Sequence, residues 1–179
     1  MDLQKLRFPI GEYAPNKKPS KALFKNWIAE IEYLPSKLNS ILEGISIEKL
    51  NFKYRTDGWT VKQVIHHCAD SHMNSIIRFK LALTEETPAI RPYFEDRWAN
   101  LIDSQDDDIS GSLALLKGLH KNWSVLLKGL TEEQLKLEFV HPEQEKKIKL
   151  SDNIEFYAWH CQHHLAHIKN GIESNGKYN

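Results

Sequence analysis

The sequence predicts an all-α protein, a bundle of four long helices with a small hairpin or extended excursion before the last one. Four segments repeat apolar residues at intervals of three and four, the spacing of a helix with one buried face. Residues 135–150 instead alternate apolar and polar residues on either side of a Pro-Glu turn, which indicates short strands. Loops of unequal length separate the four segments, so side-by-side packing is the simplest way to bury their apolar faces.

The first long helix is expected to follow an irregular N-terminal arm, residues 1–19, which contains three prolines. Helical spacing of apolar residues begins after Ser20. Pro35 lies inside this segment and lacks the amide hydrogen of a helical bond, so we expect it to kink or divide the helix.

The remaining helices are predicted from their end signals. Thr60 and Gln63 match a capping box that begins the second long helix, which runs to about Leu83. Its predicted buried stripe comprises Val61, Val64, Ile65, Cys68, Ala69, Ile76 and Ile77. A short helical stretch is expected around Glu95–Leu101. The acidic segment "DSQDDD" then begins the third long helix, whose apolar stripe includes His120 and which Gly129 ends. Ser151 is predicted to cap the last helix, which runs to about Ile172.

Length and composition exclude several classes of protein. The 179 residues suit one compact domain, residues 1–179, with a sizeable core. Lys plus Arg and Asp plus Glu both number 24, and a zero net charge argues against a nucleic-acid partner. No apolar run is long enough to span a membrane, and the N-terminus has no apolar signal core. We therefore expect a cytoplasmic protein without membrane contact. The two cysteines are too few for a disulfide framework, which is consistent with a reducing cytoplasm.

The last helix concentrates histidines in the stretch "YAWHCQHHLAHI", residues 157–168. At roughly 100° per residue, His160, His164 and His167 share a narrow stripe at the border of the apolar face, and His163 points to one side. His160 and His164 stand at i and i+4, the spacing by which one helix offers two imidazoles to one metal. A bare HxxxH pattern is also common by chance, and by itself it favours a partly exposed polar rim over a metal site.

The second long helix offers a third imidazole. His67 lies at the edge of its apolar stripe, whereas His66 is predicted to turn outward and His72 to be a satisfied packing histidine. If the two core edges meet, His67, His160 and His164 form a three-histidine site. Three protein ligands leave positions open for water or substrate, as catalytic metal sites do. Imidazole suits zinc, nickel, iron(II) and copper.

Other conspicuous side chains have simpler interpretations. Cys68 and Cys161 each follow a proposed ligand, but one step along a helix turns them into the apolar stripe, so we interpret both as small buried residues. Glu155 points in a poor direction for a general base. The tryptophans are interpreted as core rather than as walls of a substrate pocket; they are Trp59, Trp98, Trp123 and Trp159.

Several longer motifs resemble one known family. "YRTDGWTVKQVIHHCADSHMNSIIRFKLALTEETPAIRPYFEDRWANL", "SGSLALLKGLHKNW" and "YAWHCQHHLAHI" closely resemble the YfiT-type branch of the DinB-like superfamily, as does "LRFPIGEY" near the N-terminus. The resemblance covers essentially the whole chain. It implies a four-helix bundle, a homodimer, and one divalent metal held by His67, His160 and His164. We place zinc first for this metal, with nickel or iron as alternatives.

The resemblance also implies an activity on a small-molecule substrate. Family members are described as metal-dependent hydrolases, and relatives in low-GC Gram-positive bacteria transfer the thiol bacillithiol to electrophiles. An open metal can activate either water or a thiol, so thiol S-transfer is the alternative to hydrolysis. A non-catalytic bundle with a structural metal is a third hypothesis. No catalytic residue is assigned; Asp70, Tyr157 and His167 are candidates to orient the ligands or the substrate.

Overall fold

The protein, described by a computed structural model over residues 3–179 except for the side chain at position 144, contains four long helices. The helices are α1 (Leu3–Arg7), α2 (Lys21–Leu42), α3 (Ile47–Leu50), α4 (Val61–Thr84), α5 (Glu95–Trp98), α6 (Ser110–Lys128) and α7 (Leu150–Glu173). A hairpin of β1 (Glu138–His141) and β2 (Lys146–Lys149) precedes α7. The predicted all-α bundle with a hairpin before its last helix is confirmed. No helix in the described part of the chain is both long and apolar enough to cross a membrane.

The packing order of the long helices brings α4 and α7 together. α2 and α4 each pack against both α6 and α7, so α2 and α4 occupy opposite corners of the bundle. The apolar faces meet in one core whose largest fully buried side chains include Trp123, Phe79 and Phe139. Because α4 and α7 are neighbours, the histidines at the core edge of one helix face those of the other.

Two predicted helix ends are confirmed. The Thr60 hydroxyl accepts a hydrogen bond from the Gln63 amide at 3.4 Å, and the Gln63 side chain accepts one from the Thr60 amide at 2.9 Å. This reciprocal pair satisfies two amide groups that the first turn of α4 leaves without helical partners. At the end of α6, Gly129 is the C-terminal cap, and its amide bonds to carbonyls of the last turn.

The predicted first residues of two other helices are wrong. The helix after the acidic segment begins only at Ser110, because Asp106 and Asp108 accept hydrogen bonds from backbone amides two residues further on and hold a non-helical turn. Ser151 does not cap α7, which begins at Leu150. The Leu150 amide bonds to the Leu137 carbonyl at 2.9 Å, so the hairpin passes directly into the helix.

Three further expectations also differ from the structure. The N-terminal arm is not irregular throughout, since Leu3–Arg7 is helical with Leu6 buried. Pro35 does not divide the first long helix, which continues as α2 through that position and buries the proline. Ile77 is 49% exposed because it lies one residue, roughly 100°, beyond the core position of Ile76.

The hairpin closes one side of the bundle. Its strands pair antiparallel from Glu138 opposite Lys149 to His141 opposite Lys146. Phe139 faces inward and is fully buried. The β1 strand contacts α4 and the β2 strand contacts α7, which places the hairpin beside the junction of these two helices.

Candidate metal centre

Three histidines that the sequence singled out lie together at the junction of α4 and α7. The ring centroid of His67 is 5.5 Å from that of His160 and 4.8 Å from that of His164, and the latter two rings are 4.3 Å apart. One potential ligand nitrogen from each ring lies within 4.8 Å of the other two. The i, i+4 spacing on α7 supplies two imidazoles, and the packing of α4 supplies the third.

The electrostatics of the cluster keep its imidazoles neutral. Burial, with a smaller contribution from His163, lowers the pKa of His67 to about 4. Burial and the neighbouring imidazoles lower the pKa of His160 and His164 well below the ordinary value. Neutral imidazoles offer a nitrogen lone pair without first losing a proton, and three of them form a donor set that suits borderline metals such as zinc. The residues present therefore fit a divalent metal.

A cavity of about 920 Å³ opens beside the cluster, within the range of small-molecule pockets. Its wall combines the N-terminal arm, the loop before α4, the hairpin and α7. His67, His160 and His164 all line it. A small molecule that enters the cavity can therefore reach the three imidazoles.

Two tryptophans that were interpreted as core line this cavity, and one of them, Trp59, also packs against the core. The Trp59 ring lies 4.7 Å from the ring of His67, and Trp159 stacks on His163 at 4.3 Å. Both are half-buried. Trp98 is also half-buried, against Tyr93. Trp123 is fully buried, so the core interpretation holds for that residue. Apolar rings beside the histidines exclude water from part of the site.

Of two residues predicted to orient the ligands or the substrate, Tyr157 lies at the cavity and Asp70 has no bond to the histidines described in the structure. Tyr157 lines the cavity, and its hydroxyl lies 3.1 Å from the Ser71 carbonyl, to which it donates, and 3.2 Å from the Ser71 hydroxyl. Asp70 is not placed to orient a ligand. Its carboxylate makes no hydrogen bond to a histidine within residues 3–179, and the charges that act on it are those of Asp103 and His66. Burial, and next the charge of Asp103, raise the pKa of Asp70 to about 6.

His167 is placed to orient His164. The Nε2 atom of His167 lies 3.1 Å from the carbonyl oxygen of Arg7, which can only accept a hydrogen bond. Nε2 therefore carries the proton, and the Nδ1 lone pair of His167 faces Nδ1 of His164 at 3.4 Å. Burial and the neighbouring His163 lower the pKa of His167 to about 3, so the ring is neutral. The N-terminal arm thus contacts the histidine cluster through Arg7.

A second group of three rings overlaps the first. One potential ligand nitrogen from each of His163, His164 and His167 lies within 4.8 Å of the others. His164 belongs to both groups. The Nδ1 atom of His163 is buried and has no hydrogen-bond partner among the described residues.

The sequence prediction missed two histidines next to the cluster. His72 is fully buried, as predicted for a packing residue, but its Nε2 atom lies 3.0 Å from Nδ1 of His160. Its Nδ1 atom lies 2.8 Å from Nε2 of His120 on α6. Burial lowers the pKa of His72 well below its ordinary value and that of His120 to about 4. Both residues occupy positions in apolar helix stripes, where an imidazole must find a buried partner.

His66 and both cysteines are buried. The expectation that His66 turns outward is wrong, because the ring is buried and bonds to the Ser112 hydroxyl at 2.8 Å and the Asp106 carbonyl at 3.1 Å. Cys68 and Cys161 are buried thiols, as predicted. Burial raises the pKa of both, so neither is a ready nucleophile.

Glu155 has a structural role. Its carboxylate accepts hydrogen bonds from the Asn16 amide at 2.8 Å and from the Tyr13 hydroxyl at 3.4 Å. These bonds attach the N-terminal arm to α7, and burial together with the Glu155 charge raises the pKa of Tyr13.

Fold and site together define a class of protein, a four-helix bundle with a candidate metal site of histidines on two adjacent helices. A sequence profile of the DinB superfamily matches residues 30–168, and the chain belongs to this superfamily. It is 52% identical over 163 residues to the "Putative metal-dependent hydrolase YfiT" of Bacillus subtilis strain 168, a match that covers 91% of this chain and 92% of YfiT. A "Putative metal-dependent hydrolase" of Bacillus cereus strain 03BB102 is 47% identical over 163 residues, which are 91% of this chain and 93% of that protein.

A solved structure supports the same relationship. It is described as "YfiT from Bacillus subtilis is a probable metal-dependent hydrolase with an unusual four-helix bundle topology". It matches this structure with a TM-score of 0.91 at 48% identity, over 98% of this chain and 99% of the solved one. The resemblance to the YfiT-type branch is confirmed.

Proposed function

We propose that this protein is a metal-dependent hydrolase that holds one divalent metal through His67, His160 and His164. One observation carries the proposal: three buried, neutral imidazoles from adjacent helices converge in the wall of a cavity large enough for a small substrate. The relatives named as metal-dependent hydrolases support it. We assign the metal to this group rather than to the overlapping one, because His167 already binds the Arg7 carbonyl and faces His164 as an orienting partner.

The donor set indicates the chemistry. A divalent metal held by three imidazoles, with zinc first and nickel or iron as alternatives, supplies Lewis acidity that activates water near neutral pH. His67, His160 and His164 hold it with their neutral nitrogens, and Trp59 covers one side of His67. The Tyr157 hydroxyl, held by Ser71, lies on the cavity wall where it can orient a substrate. This arrangement requires no nucleophile from the protein.

The cavity also argues against a metal that serves only to stabilise the bundle. Structural metal sites are closed by four protein ligands, whereas the three imidazoles proposed here line a cavity. A core of this size is also expected to fold without a metal. If removal of the metal by a chelator unfolds the protein, and no small molecule perturbs the bound metal, the structural hypothesis replaces ours.

Elemental analysis of protein purified without a histidine tag tests the ligand assignment. We expect about one zinc, nickel or iron per chain. The double variant His160→Ala/His164→Ala is expected to lose it. His163→Ala is the matched control on the same helix and is expected to keep the metal. Equal metal content in wild type and the double variant would contradict the assignment, and loss in His163→Ala alone would move the metal to the overlapping group.

A second assay tests the reaction. Metal-loaded protein is incubated with ester, amide and epoxide substrates, with and without a low-molecular-weight thiol. We expect metal-dependent cleavage without thiol, because water is always available to an open metal. A metal-dependent conjugate that forms only with thiol would overturn hydrolysis in favour of the S-transfer that the family resemblance also implies.

A further inference from the structure

A continuous row of hydrogen bonds crosses all four long helices and ends at His160. It begins at the Ile31 carbonyl of α2, which lies 2.5 Å from Nδ1 of His120 on α6. Nε2 of His120 lies 2.8 Å from Nδ1 of His72 on α4, and Nε2 of His72 lies 3.0 Å from Nδ1 of His160 on α7. His72 and His120 are 0% and 1% exposed, so water does not compete for these bonds.

Pro35 explains why the Ile31 carbonyl is available. In an α-helix the carbonyl of residue 31 accepts from the amide of residue 35, but proline has no amide hydrogen. The helix continues through Pro35, so the carbonyl of Ile31 is left without its helical donor in the interior of the bundle. A buried carbonyl without a donor is costly, and the His120 ring satisfies it.

The direction of every hydrogen bond in the row follows from its first member. A carbonyl only accepts, so Nδ1 of His120 carries the proton and Nε2 of the neutral ring is an acceptor. Nδ1 of His72 must then donate to it, which leaves Nε2 of His72 as an acceptor. Nδ1 of His160 must donate in turn. No carboxylate is a hydrogen-bond partner of His72 or His120 in the described residues, so neither ring is held as a cation.

We propose that His72 and His120 are positioning residues that fix His160 with its proton on Nδ1 and its lone pair on Nε2, directed at the metal. The proposal rests on the proposed function, since it needs His160 to be a ligand. Metal-binding histidines commonly donate their second nitrogen to a carboxylate, carbonyl or water. Here the acceptor for His160 is the imidazole of His72. The Ile31 carbonyl on the far side of the bundle sets the tautomer of His72 through His120.

The tautomers can be measured directly in the wild-type protein. Long-range ¹H–¹⁵N correlation spectra of metal-free, ¹⁵N-labelled protein distinguish protonated from unprotonated ring nitrogens. We expect the proton on Nδ1 in all three rings, His120, His72 and His160. A proton on Nε2 of His160 would overturn the proposal, and no variant has to fold for this result.

Variants at position 120 test the effect on the metal. His120→Leu removes both the donor to Ile31 and the acceptor for His72. We expect it to weaken metal binding roughly tenfold, at the lower end of the loss found when outer partners of ligands are removed, because it acts through one intervening ring. His120→Gln keeps an amide donor and a carbonyl acceptor and is expected to recover part of the affinity. It is also expected to restore the Nδ1 proton signal of His160.

His66→Leu is the matched control. His66 on α4 is, like His120 on α6, a buried histidine with two hydrogen bonds, to the Ser112 hydroxyl and the Asp106 carbonyl, but within residues 3–179 it has no hydrogen bond to the metal cluster. It is expected to lower the melting temperature without changing metal affinity. If His120→Leu and His66→Leu lower stability alike and neither changes the affinity or the His160 tautomer, the histidines only pack and the proposal is wrong.

The double variant of the proposed ligands distinguishes an error in the positioning role from an error in the proposed function. If His160→Ala/His164→Ala keeps its metal, the ligand assignment itself is wrong. If that variant loses its metal while His120→Leu binds as tightly as wild type, only the positioning role is wrong.

Discussion

Metal binding at pH 6 is expected to release almost no protons from the ligands. An imidazole with the ordinary pKa of about 6.5 is roughly three-quarters protonated at pH 6, so three such ligands would release roughly two protons. Burial lowers the pKa of His67 to about 4, at which roughly 1% of the ring is protonated at pH 6. His160 and His164 are shifted in the same direction by burial and by neighbouring imidazoles.

Isothermal titration calorimetry measures this release. Titrations with Zn²⁺ at pH 6 in buffers of different ionisation enthalpy give the number of protons transferred to the buffer. We expect well below one proton per metal for the folded protein. A synthetic peptide of residues 157–168, whose imidazoles are exposed to water, serves as the control and is expected to release protons as ordinary imidazoles do. Release of about two protons by the folded protein would refute the reasoning, because its ligands would then not be desolvated.

The same shifts give the sign of the acid dependence of stability. A histidine whose pKa is lower in the folded than in the unfolded chain adds stability above the unfolded value of about 6.5. For His67 this stability is lost as the pH falls through the folded value of about 4. We therefore expect the melting temperature of the metal-free protein to fall from pH 6.5 to pH 4. A flat profile over this interval would show that these imidazoles are hydrated.

Further predictions concern stability and assembly. Gly171→Ala is expected to destabilise the protein by roughly 1–3 kcal/mol, since the added Cβ would lie 2.6 Å from Val61 Cγ2. Gly118→Ala adds a Cβ that meets nothing within 4 Å and is expected to stabilise the protein by about 0.5–1 kcal/mol. Urea unfolding measures both changes. Asp70→Asn is expected to raise stability at pH 7 by about 1 kcal/mol, after allowance for partial exposure, and to lose this gain below pH 6 where the carboxyl is protonated. Glu155→Ala is expected to speed proteolysis of the N-terminal arm, because the hydrogen bonds that attach it are lost. The homodimer remains a prediction, which a monomer in sedimentation at micromolar concentration would contradict.

Local patterns in the sequence determined most of the bundle and part of the candidate site. Helical spacing and the Thr60–Gln63 capping box depend on neighbours within one or two turns, and these predictions are confirmed. The i, i+4 pair His160 and His164 is equally local. The choice of His67 over His66 came from helical direction and from family motifs, and the structure does bring His67 to the pair.

Only the tertiary structure decided which residues meet across helices. His72 and His120 occupy apolar stripes on separate helices, and their connection to His160 exists because α4 packs between α6 and α7. Pro35 shows the same limit. Its predicted effect was a kink or division of the helix, whereas its actual effect is to leave the Ile31 carbonyl without a helical donor, and His120 of the neighbouring helix satisfies that carbonyl. Sequence spacing determines the direction of a side chain from its own helix axis, whereas the partner it reaches depends on how the helices pack.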